Sequence, residues 1–249
     1  MTQSVVQESV CSYLEWDSEF FGKRIARVNR HCLDEPELAA ALGWCHANRI
    51  DCLYFLAAAD DLRTVRMAEQ NSFIQTDVRI TFERQLTEND RPETAALVRL
   101  ARTSDLADLR KIASTLHHDS RFYFDQHFDR RKCDLLYATW IENSFKGFAE
   151  AVLVAEVEGR PVGYLTCHLR GEESQIGLTG IEETQTGKGL GRKLVQTFLG
   201  WSVEKKAGRA TVVTQGRNVG AQRLYQKCGF LTSSLQLWYH RWFTEGQSD

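Results

Sequence analysis

The sequence lacks long apolar runs, an excess of charge of one sign and paired cysteine motifs. None of its apolar runs approaches the ~18–20 residues that a helix needs to span a bilayer, so we expect no membrane span. The formal net charge is -2, and the basic footprint of nucleic-acid-binding proteins is missing. Residues 1–10 show no cationic start followed by an apolar block, so we expect no secretory signal.

The cysteines and histidines give no sign of a disulfide framework or a metal site. The seven cysteines are odd in number, scattered and without a C-x-x-C pair, and they predict reduced core thiols in a cytoplasmic protein. His117-His118-Asp119 has no third ligand group at a recognisable spacing, so we expect a solvated loop and no metal. With 43% hydrophobic and 26% charged residues, the chain is long enough for one large or two small ordered domains.

The first part of the chain alternates between strand and helix patterns. It predicts a strand and turn at 10–28, a helix at 35–48, a strand at 52–56, a helix at 62–70 and a strand at 73–82. This βαβαβ order predicts a small α/β domain at residues 1–90, serving as a scaffold beside a catalytic domain. The polar, proline-containing segment 87–94 is the linker candidate, and the second domain is expected at 97–243.

A glycine-rich turn organises the second half of the chain. Residues 176–181 predict a short strand, and apolar residues recur at helical spacing over 190–201. Between them lie Thr186, Gly187, Lys188, Gly189, Leu190, Gly191 and Arg192. Such a turn leaves backbone N–H groups unpaired at the positive end of the helix dipole, where they suit a phosphate, and Lys188 and Arg192 add positive charge. A tight turn without a ligand is the alternative, because a short glycine pattern alone is weak evidence.

A second pattern follows, after a strand predicted at 210–214. It consists of Asn218, Ala221, Tyr225, Gly229 and Phe230, on a helix expected to run from Asn218 to Gly229. The two patterns together resemble the GNAT family of acetyl-CoA-dependent N-acetyltransferases. The pyrophosphate loop of that family reads Gln/Arg-x-x-Gly-x-Gly/Ala, and its later helix carries Asn-x-x-Ala-x-x-x-Tyr-x-x-x-Gly-Phe. The second motif is complete here, whereas Thr186 stands at the usual Gln/Arg position of the first. A strand and capped helix after residue 97 also resemble the start of GNAT domains.

The resemblance implies the GNAT fold, with a mixed central sheet splayed at the acetyl-CoA site, preceded by a small α/β N-terminal domain. It implies acetyl-CoA as co-substrate and no metal. The residues expected to bind acetyl-CoA are those of the strand end and glycine turn and two of the later helix: Leu178, Gly180, Ile181, Glu183, Thr186, Gly187, Lys188, Gly189, Leu190, Gly191, Arg192, Asn218 and Ala221. Tyr225 is implied as the general acid that protonates the leaving thiolate. An N-cap role for Asn218 is equally natural and compatible with binding.

The base that deprotonates the acceptor amine stays open at this level. Glu182, His168 and His118 are candidates, and water could relay the proton instead.

An aromatic-rich segment, between the helix predicted after residue 104 and the hairpin predicted at 152–167, indicates the acceptor site. It contains Arg121, Phe122, Tyr137, Trp140 and Asn143. Aromatic side chains suit stacking on a base or sugar, although periodicity alone favours ordinary core packing. With the Trp16/Phe20-Phe21-Gly22 stretch, these residues are similar to the dTDP-fucosamine acetyltransferases, which N-acetylate the 4-amino group of dTDP-4-amino-4,6-dideoxygalactose. This resemblance implies a nucleotide-linked amino sugar as acceptor.

Other functions remain open from the sequence alone. A GNAT enzyme acting on a protein lysine or another small amine is one alternative, and a non-catalytic acyl-CoA-binding regulatory protein is another. Tyr225 favours an enzyme, since a regulatory protein that only binds acyl-CoA has no need of a general acid. We expect no nucleic-acid partner, and the sequence is compatible with a homodimer.

Overall fold

The computed structural model of the protein describes residues 9–90 and 97–243. Its strands are β1 (Cys11–Tyr13), β2 (Ile25–Val28), β3 (Cys52–Ala58), β4 (Ile74–Gln85), β5 (Val98–Leu100), β6 (Ala151–Val157), β7 (Arg160–Arg170), β8 (Glu173–Ile181), β9 (Arg209–Gln215) and β10 (Leu231–Trp242). Its α-helices are α1 (Glu15–Phe21), α2 (Glu35–Ala47), α3 (Leu62–Gln70), α4 (Leu106–Ser114), α5 (Arg121–Phe124), α6 (Arg130–Asn143), α7 (Leu190–Glu204) and α8 (Val219–Lys227). These elements form two compact units.

The helices of the first unit begin where the sequence supplies caps. Asp34 accepts a hydrogen bond from the amide of Glu37, whose side chain accepts from the amide of Asp34, so α2 starts with a capping box. Asp61 caps α3 by accepting from the amides of Arg63 and Thr64. Each carboxylate therefore satisfies amides that the first helical turn leaves unpaired.

The first unit is a sheet with α2 and α3 on one face. Of the described residues, it contains those up to Arg79, Phe124–Phe128 and those from Leu235 onward. The strand order is β1-β2-β3-β10-β4, with β2 parallel to β3 and β10 antiparallel to β3. Alternate residues of β3, including Leu53 and Phe55, pack with buried residues of α2 and α3. Burial of this face forms the hydrophobic core of the unit.

The opposite face of β3 carries a polar cluster. Tyr54 points away from Leu53 and Phe55 because successive strand residues face opposite sides. The ring of His240 stacks on Tyr54 at 4.6 Å, and its Nδ1 donates to Asp125 at 2.6 Å. Burial acts against the charged carboxylate of Asp125, but hydrogen bonds from His240, Trp242 and His127 outweigh it and hold the pKa below its usual range. Asp125 thereby attaches segment Phe124–Phe128 to this unit.

The second unit is a mixed sheet with helices on both faces. Its strand order is β4-β9-β8-β7-β6-β5, parallel between β8 and β9 and antiparallel from β8 to β5. A Cβ placed on Gly180 would lie 2.6 Å from Leu116, just beyond α4. Ile181, the residue after Gly180 in β8, instead lies near Gly191 of α7. Because adjacent strand residues face opposite sides, α4 and α7 cover opposite faces of β8.

Two parts of the architecture differ from what the sequence predicted. Residues 15–21 form helix α1 where a turn was predicted, and Gly22, with φ 66°, ends this helix in the left-handed conformation. In the predicted linker, Glu88–Asp90 forms a 3₁₀ turn, and residues 91–94 lie outside the described residues. The division into domains at 1–90 and 97–243 stays a proposal. The compact units assign residues 124–128 and those from 235 onward to the first unit.

Three further predictions concern spans, thiols and metals. No helix within residues 9–90 and 97–243 is both long and apolar enough to cross a membrane. All seven cysteines are free thiols, and Cys32 is exposed while the others are buried. Among the described residues, no three His, Cys, Asp or Glu side chains come together as a metal site.

Candidate active site

The two parallel strands in the middle of the second unit diverge. β8 and β9 pair only from Glu173↔Arg209 to Ile176↔Val212, although β8 continues to Ile181 and β9 to Gln215. Residues 177–181 therefore have no partner on β9. This cleft exposes a strand edge whose backbone groups can pair with an extended ligand.

A β-bulge starts the divergence. Leu165 pairs with Thr179, and Cys167 pairs with Ile176, so β8 has one more residue than β7 in this interval. The amide of Leu178 turns to Thr166 and donates to its Oγ1 at 2.7 Å. A Cβ on Gly177 would lie 2.4 Å from Nε2 of His168 and 2.7 Å from Oγ1 of Thr166, so the bulge requires glycine there.

The glycine turn follows the cleft and opens α7. Gly187 and Gly189 have φ values of 76° and 80°, which L side chains rarely adopt. Gly189 is the N-cap residue of α7, with no side-chain cap. Within the described part of the chain, the amides of residues 187–192 have no hydrogen-bond acceptor outside the helix. Free N–H donors at a helix N-terminus suit a diphosphate.

The side chains of the turn divide into exposed and packed ones. Lys188 Nζ donates to Gln185 at 2.8 Å, and Thr186 Oγ1 donates to the carbonyl of Glu183 at 2.8 Å. Arg192 is exposed, whereas Leu190 is buried. A Cβ on Gly191 would lie 3.2 Å from Leu224 of α8, so this glycine permits close packing of α7 on α8. The third glycine therefore has a packing role, whereas Gly187 and Gly189 supply the left-handed backbone of the turn.

Helix α8 carries the second motif. Asn218 is its N-cap residue, and its Oδ1 accepts from the amide of Ala221 at 3.0 Å. Tyr225 is only 2% exposed, with its ring about 6 Å from those of Phe82 and Phe230. Burial raises the pKa of Tyr225, so its hydroxyl stays protonated at neutral pH. A leaving thiolate requires a proton donor, and a protonated phenol can serve as one.

The structure brings together most of the residues predicted to bind the acceptor. The guanidinium of Arg121 lies 4.2 Å from the ring centre of Phe122, which meets Trp140 edge-on at 6.4 Å. Trp140 in turn lies 5.2 Å from Tyr137. Phe122 and Tyr137 are buried, so part of the cluster is core, whereas Arg121 and Trp140 are half-buried. Asn143, also half-buried, ends α6.

The three candidate bases have different surroundings. Nε2 of His168 lies 3.2 Å from Oγ1 of Thr166, and burial lowers the pKa of this histidine. Glu182 accepts a hydrogen bond from Arg160 at 2.6 Å, which lowers the pKa of its carboxyl. His118 is exposed and contacts the edge of Tyr123. His168 and Glu182 thus each have a side-chain hydrogen-bond partner, Thr166 and Arg160 respectively.

His117 is a polar residue of this region to which the sequence assigned no role beyond a solvated loop. Its ring stacks on Tyr137 at 4.3 Å, and its Nε2 lies 2.8 Å from the hydroxyl of Tyr164. Desolvation, with the charge of His118, lowers the pKa of His117 to about 4. The sequence offered no signal to separate His117 from its neighbour, since only the turn of the loop decides which ring points inward.

Comparison with known proteins agrees with this geometry. Residues 111–230 match the model of the acetyltransferase (GNAT) family. The chain is also 29% identical over 123 residues to the spore coat polysaccharide biosynthesis protein SpsD of Bacillus subtilis (strain 168). That match spans 49% of this chain and 43% of the length of SpsD.

Solved structures share the fold at low sequence identity. A GCN5-related N-acetyltransferase from Sphaerobacter thermophilus matches with a TM-score of 0.66 and 12% identity, over 96% of this chain and 78% of that chain. A functionally unknown conserved protein from Staphylococcus epidermidis ATCC 12228 matches with a TM-score of 0.66 and 13% identity, over 97% of this chain and 94% of that chain. The predicted GNAT fold, with its splayed sheet, is confirmed. Residues 111–230 therefore form an acetyltransferase domain of the GNAT family.

Proposed function

We propose that the protein is an acetyl-CoA-dependent N-acetyltransferase that transfers an acetyl group directly to the amine of a nucleotide-linked amino sugar, of the dTDP-4-amino-4,6-dideoxyhexose type. The observation that carries the acetyl-transfer part is the cleft between β8 and β9, which ends at a turn of unpaired amides and is followed by the buried Tyr225. The free thiols support a cytoplasmic location, where they stay reduced.

The residues of the chain divide the work of acetyl transfer. Acetyl-CoA supplies the activated acetyl thioester. The amides of residues 187–192 bind its diphosphate, with Lys188 and Arg192 adding positive charge. The open edge of β8 over residues 177–181 holds the extended arm through backbone hydrogen bonds. Tyr225 donates a proton to the leaving thiolate.

The acceptor class is the finer part of the proposal, and two observations support it. The relative SpsD is named for polysaccharide biosynthesis. The cluster of Arg121, Phe122, Tyr137 and Trp140 combines a guanidinium with aromatic rings. A guanidinium suits a diphosphate because it donates two parallel hydrogen bonds, and an aromatic ring suits a base or sugar face.

A ligand screen followed by an acetylation assay tests this function. The melting temperature should rise with acetyl-CoA, and further with a nucleotide amino sugar that the protein binds. Acetylation is then compared for a dTDP-4-amino sugar, its free sugar and a lysine peptide. We expect the nucleotide sugar to have the highest kcat/KM. If the peptide is the better substrate, or if the free sugar equals the nucleotide form, the acceptor class is wrong. Binding of acetyl-CoA without acetylation of any amine would instead indicate a regulatory protein.

A further inference from the structure

His117 and Tyr164 form a polar pair beside the open part of β8. Nε2 of His117 lies 2.8 Å from the hydroxyl oxygen of Tyr164, whose side chain is fully buried. A Cβ on Gly180 would lie 3.1 Å from Cζ of Tyr164, the carbon that bears this hydroxyl. Gly180 belongs to the stretch of β8 that has left β9. The pair therefore lies next to the cleft, on the face covered by α4.

The pair leaves hydrogen-bonding capacity for a ligand. A neutral imidazole has one donor and one acceptor nitrogen, and a phenol has one O–H donor. The bond between Nε2 and Tyr164 uses only one donor. Among the described residues, Nδ1 of His117 has no hydrogen-bond partner. When Nε2–H donates to Tyr164, the lone pair of Nδ1 stays available to accept a proton.

The backbone of His117 adopts a strained conformation. Its φ of 66° lies in the left-handed region, which non-glycine residues seldom occupy. Strained backbone of this kind persists only where the surroundings determine it, and it is concentrated at functional sites. The ring is clamped by stacking on Tyr137, itself one of the residues predicted to bind the acceptor. Desolvation keeps the imidazole neutral at physiological pH.

We propose that His117, held by Tyr164, is the base that takes the proton from the acceptor amine. This inference rests on the proposed acetyl transfer, but not on the sugar. The amine nitrogen bonds to the acetyl carbon, its N–H proton passes to Nδ1 of His117, and the carbon–sulfur bond breaks. The thiolate takes its proton from Tyr225. Solvent then removes the proton from His117 and returns one to Tyr225, so the products are the amide and the free thiol of CoA.

Substitution of His117 tests this role on whichever amine of the panel the wild-type protein acetylates fastest. His117→Gln keeps an amide nitrogen that can donate to Tyr164 but cannot take up a proton. We expect kcat to fall by about 10²–10⁴-fold, the usual range for general base catalysis. The dissociation constant of acetyl-CoA, measured by calorimetry, should not change. In His117→Ala, added imidazole should restore part of the lost rate.

Two further variants complete the test. His46→Ala removes an exposed imidazole of α2, outside the site, and should leave kcat near the wild-type value. Tyr164→Phe should lower kcat about 2–12-fold, the equivalent of losing one hydrogen bond of ~0.5–1.5 kcal/mol. Wild-type kcat in folded His117→Gln, or a loss confined to the KM of the acceptor, would overturn the proposal. So would a loss in His117→Ala that imidazole does not rescue. If only amines other than nucleotide sugars are acetylated, the acceptor class fails while the role of His117 is still measured.

Discussion

The amide of Leu178 donates a hydrogen bond to Oγ1 of Thr166, at 2.7 Å, at the point where β8 stops pairing with β9. This contact takes a backbone donor out of the strand ladder and gives it to a side chain of the neighbouring strand. Thr166 is fully buried and also lies 3.2 Å from Nε2 of His168, so its hydroxyl is held between two groups. We therefore expect the shape of the cleft to depend on Thr166, although this side chain does not need to touch a ligand.

Thr166→Val tests this dependence because it keeps the branched shape and removes the hydroxyl. The amide of Leu178 loses its acceptor, so we expect the free energy of unfolding to fall by about 1 kcal/mol and the dissociation constant of acetyl-CoA to rise. Urea unfolding and calorimetry measure the two effects. Thr197→Val in α7 is the control, since the hydroxyl of Thr197 only donates to the carbonyl of Lys193. Equal acetyl-CoA affinity in both variants would contradict a role for Thr166 in shaping the cleft.

Gly189→Val should abolish acetyl-CoA binding while the protein stays folded. Nothing lies within 4 Å of a Cβ at this position, so the substitution obstructs only a bound phosphate, apart from the strain at φ 80°. Gly171→Val is matched for strain, because Gly171 has φ 61°, open space around it and a place in the β7–β8 turn. Both variants should lose similar stability in a thermal melt. Unchanged affinity in Gly189→Val, measured by calorimetry, would refute the phosphate-binding role.

Tyr225→Phe should keep acetyl-CoA affinity but lower kcat by about 10²–10⁴-fold, the usual contribution of general acid catalysis. The ring contacts with Phe82 and Phe230 do not involve the hydroxyl, so the fold should survive the change. Steady-state kinetics at saturating acetyl-CoA gives kcat, and a melting curve checks the fold. A variant as fast as wild type would show that Tyr225 only packs and that solvent protonates the thiolate.

Removing Arg121 should raise the KM of the nucleotide sugar far more than that of acetyl-CoA. Loss of a charge-assisted hydrogen bond costs ~1.5–3 kcal/mol, equivalent to roughly 10–150-fold in Arg121→Ala. Arg121→Lys keeps the charge but loses the planar guanidinium that stacks on Phe122. Its KM for the nucleotide sugar should therefore lie between those of the wild type and Arg121→Ala. Kinetics with the free sugar provides the comparison. An equal rise in KM for nucleotide sugar and free sugar would exclude diphosphate recognition by Arg121.

The stability of the protein should depend on pH through His117. Its pKa is lowered to about 4 in the folded protein from an ordinary value of 6.5, so the unfolded chain binds more protons between these values. The free energy of unfolding should therefore fall as the pH drops from 6.5 towards 4. His117→Gln should show a smaller fall over the same window, while the carboxylates contribute equally to both proteins. Parallel curves for the two proteins would contradict a desolvated, neutral His117.

Local sequence patterns predicted much of the secondary structure and the places of the glycine turn and of the second motif in the fold. The helix predicted at 35–48 forms α2, because a capping box and an apolar periodicity act within a few residues. The glycine turn is predictable for the same reason, since left-handed φ values at Gly187 and Gly189 are a local requirement. The spacing of the second motif identified Tyr225, whose side chain is buried on α8 in the structure.

Only the tertiary structure decided which side chains meet. Asp125 reaches His240, 115 residues away, and no local pattern reports that contact. His117 and His118 are adjacent in the chain, but one contacts Tyr164 of β7 while the other is exposed. Where β8 leaves β9, the amide of Leu178 likewise donates to Thr166, a residue of the neighbouring strand. Backbone preferences act over one or two turns and can be read from neighbouring residues. Strand register and the direction of a buried polar group depend on the free energy of packing the sheet as a whole.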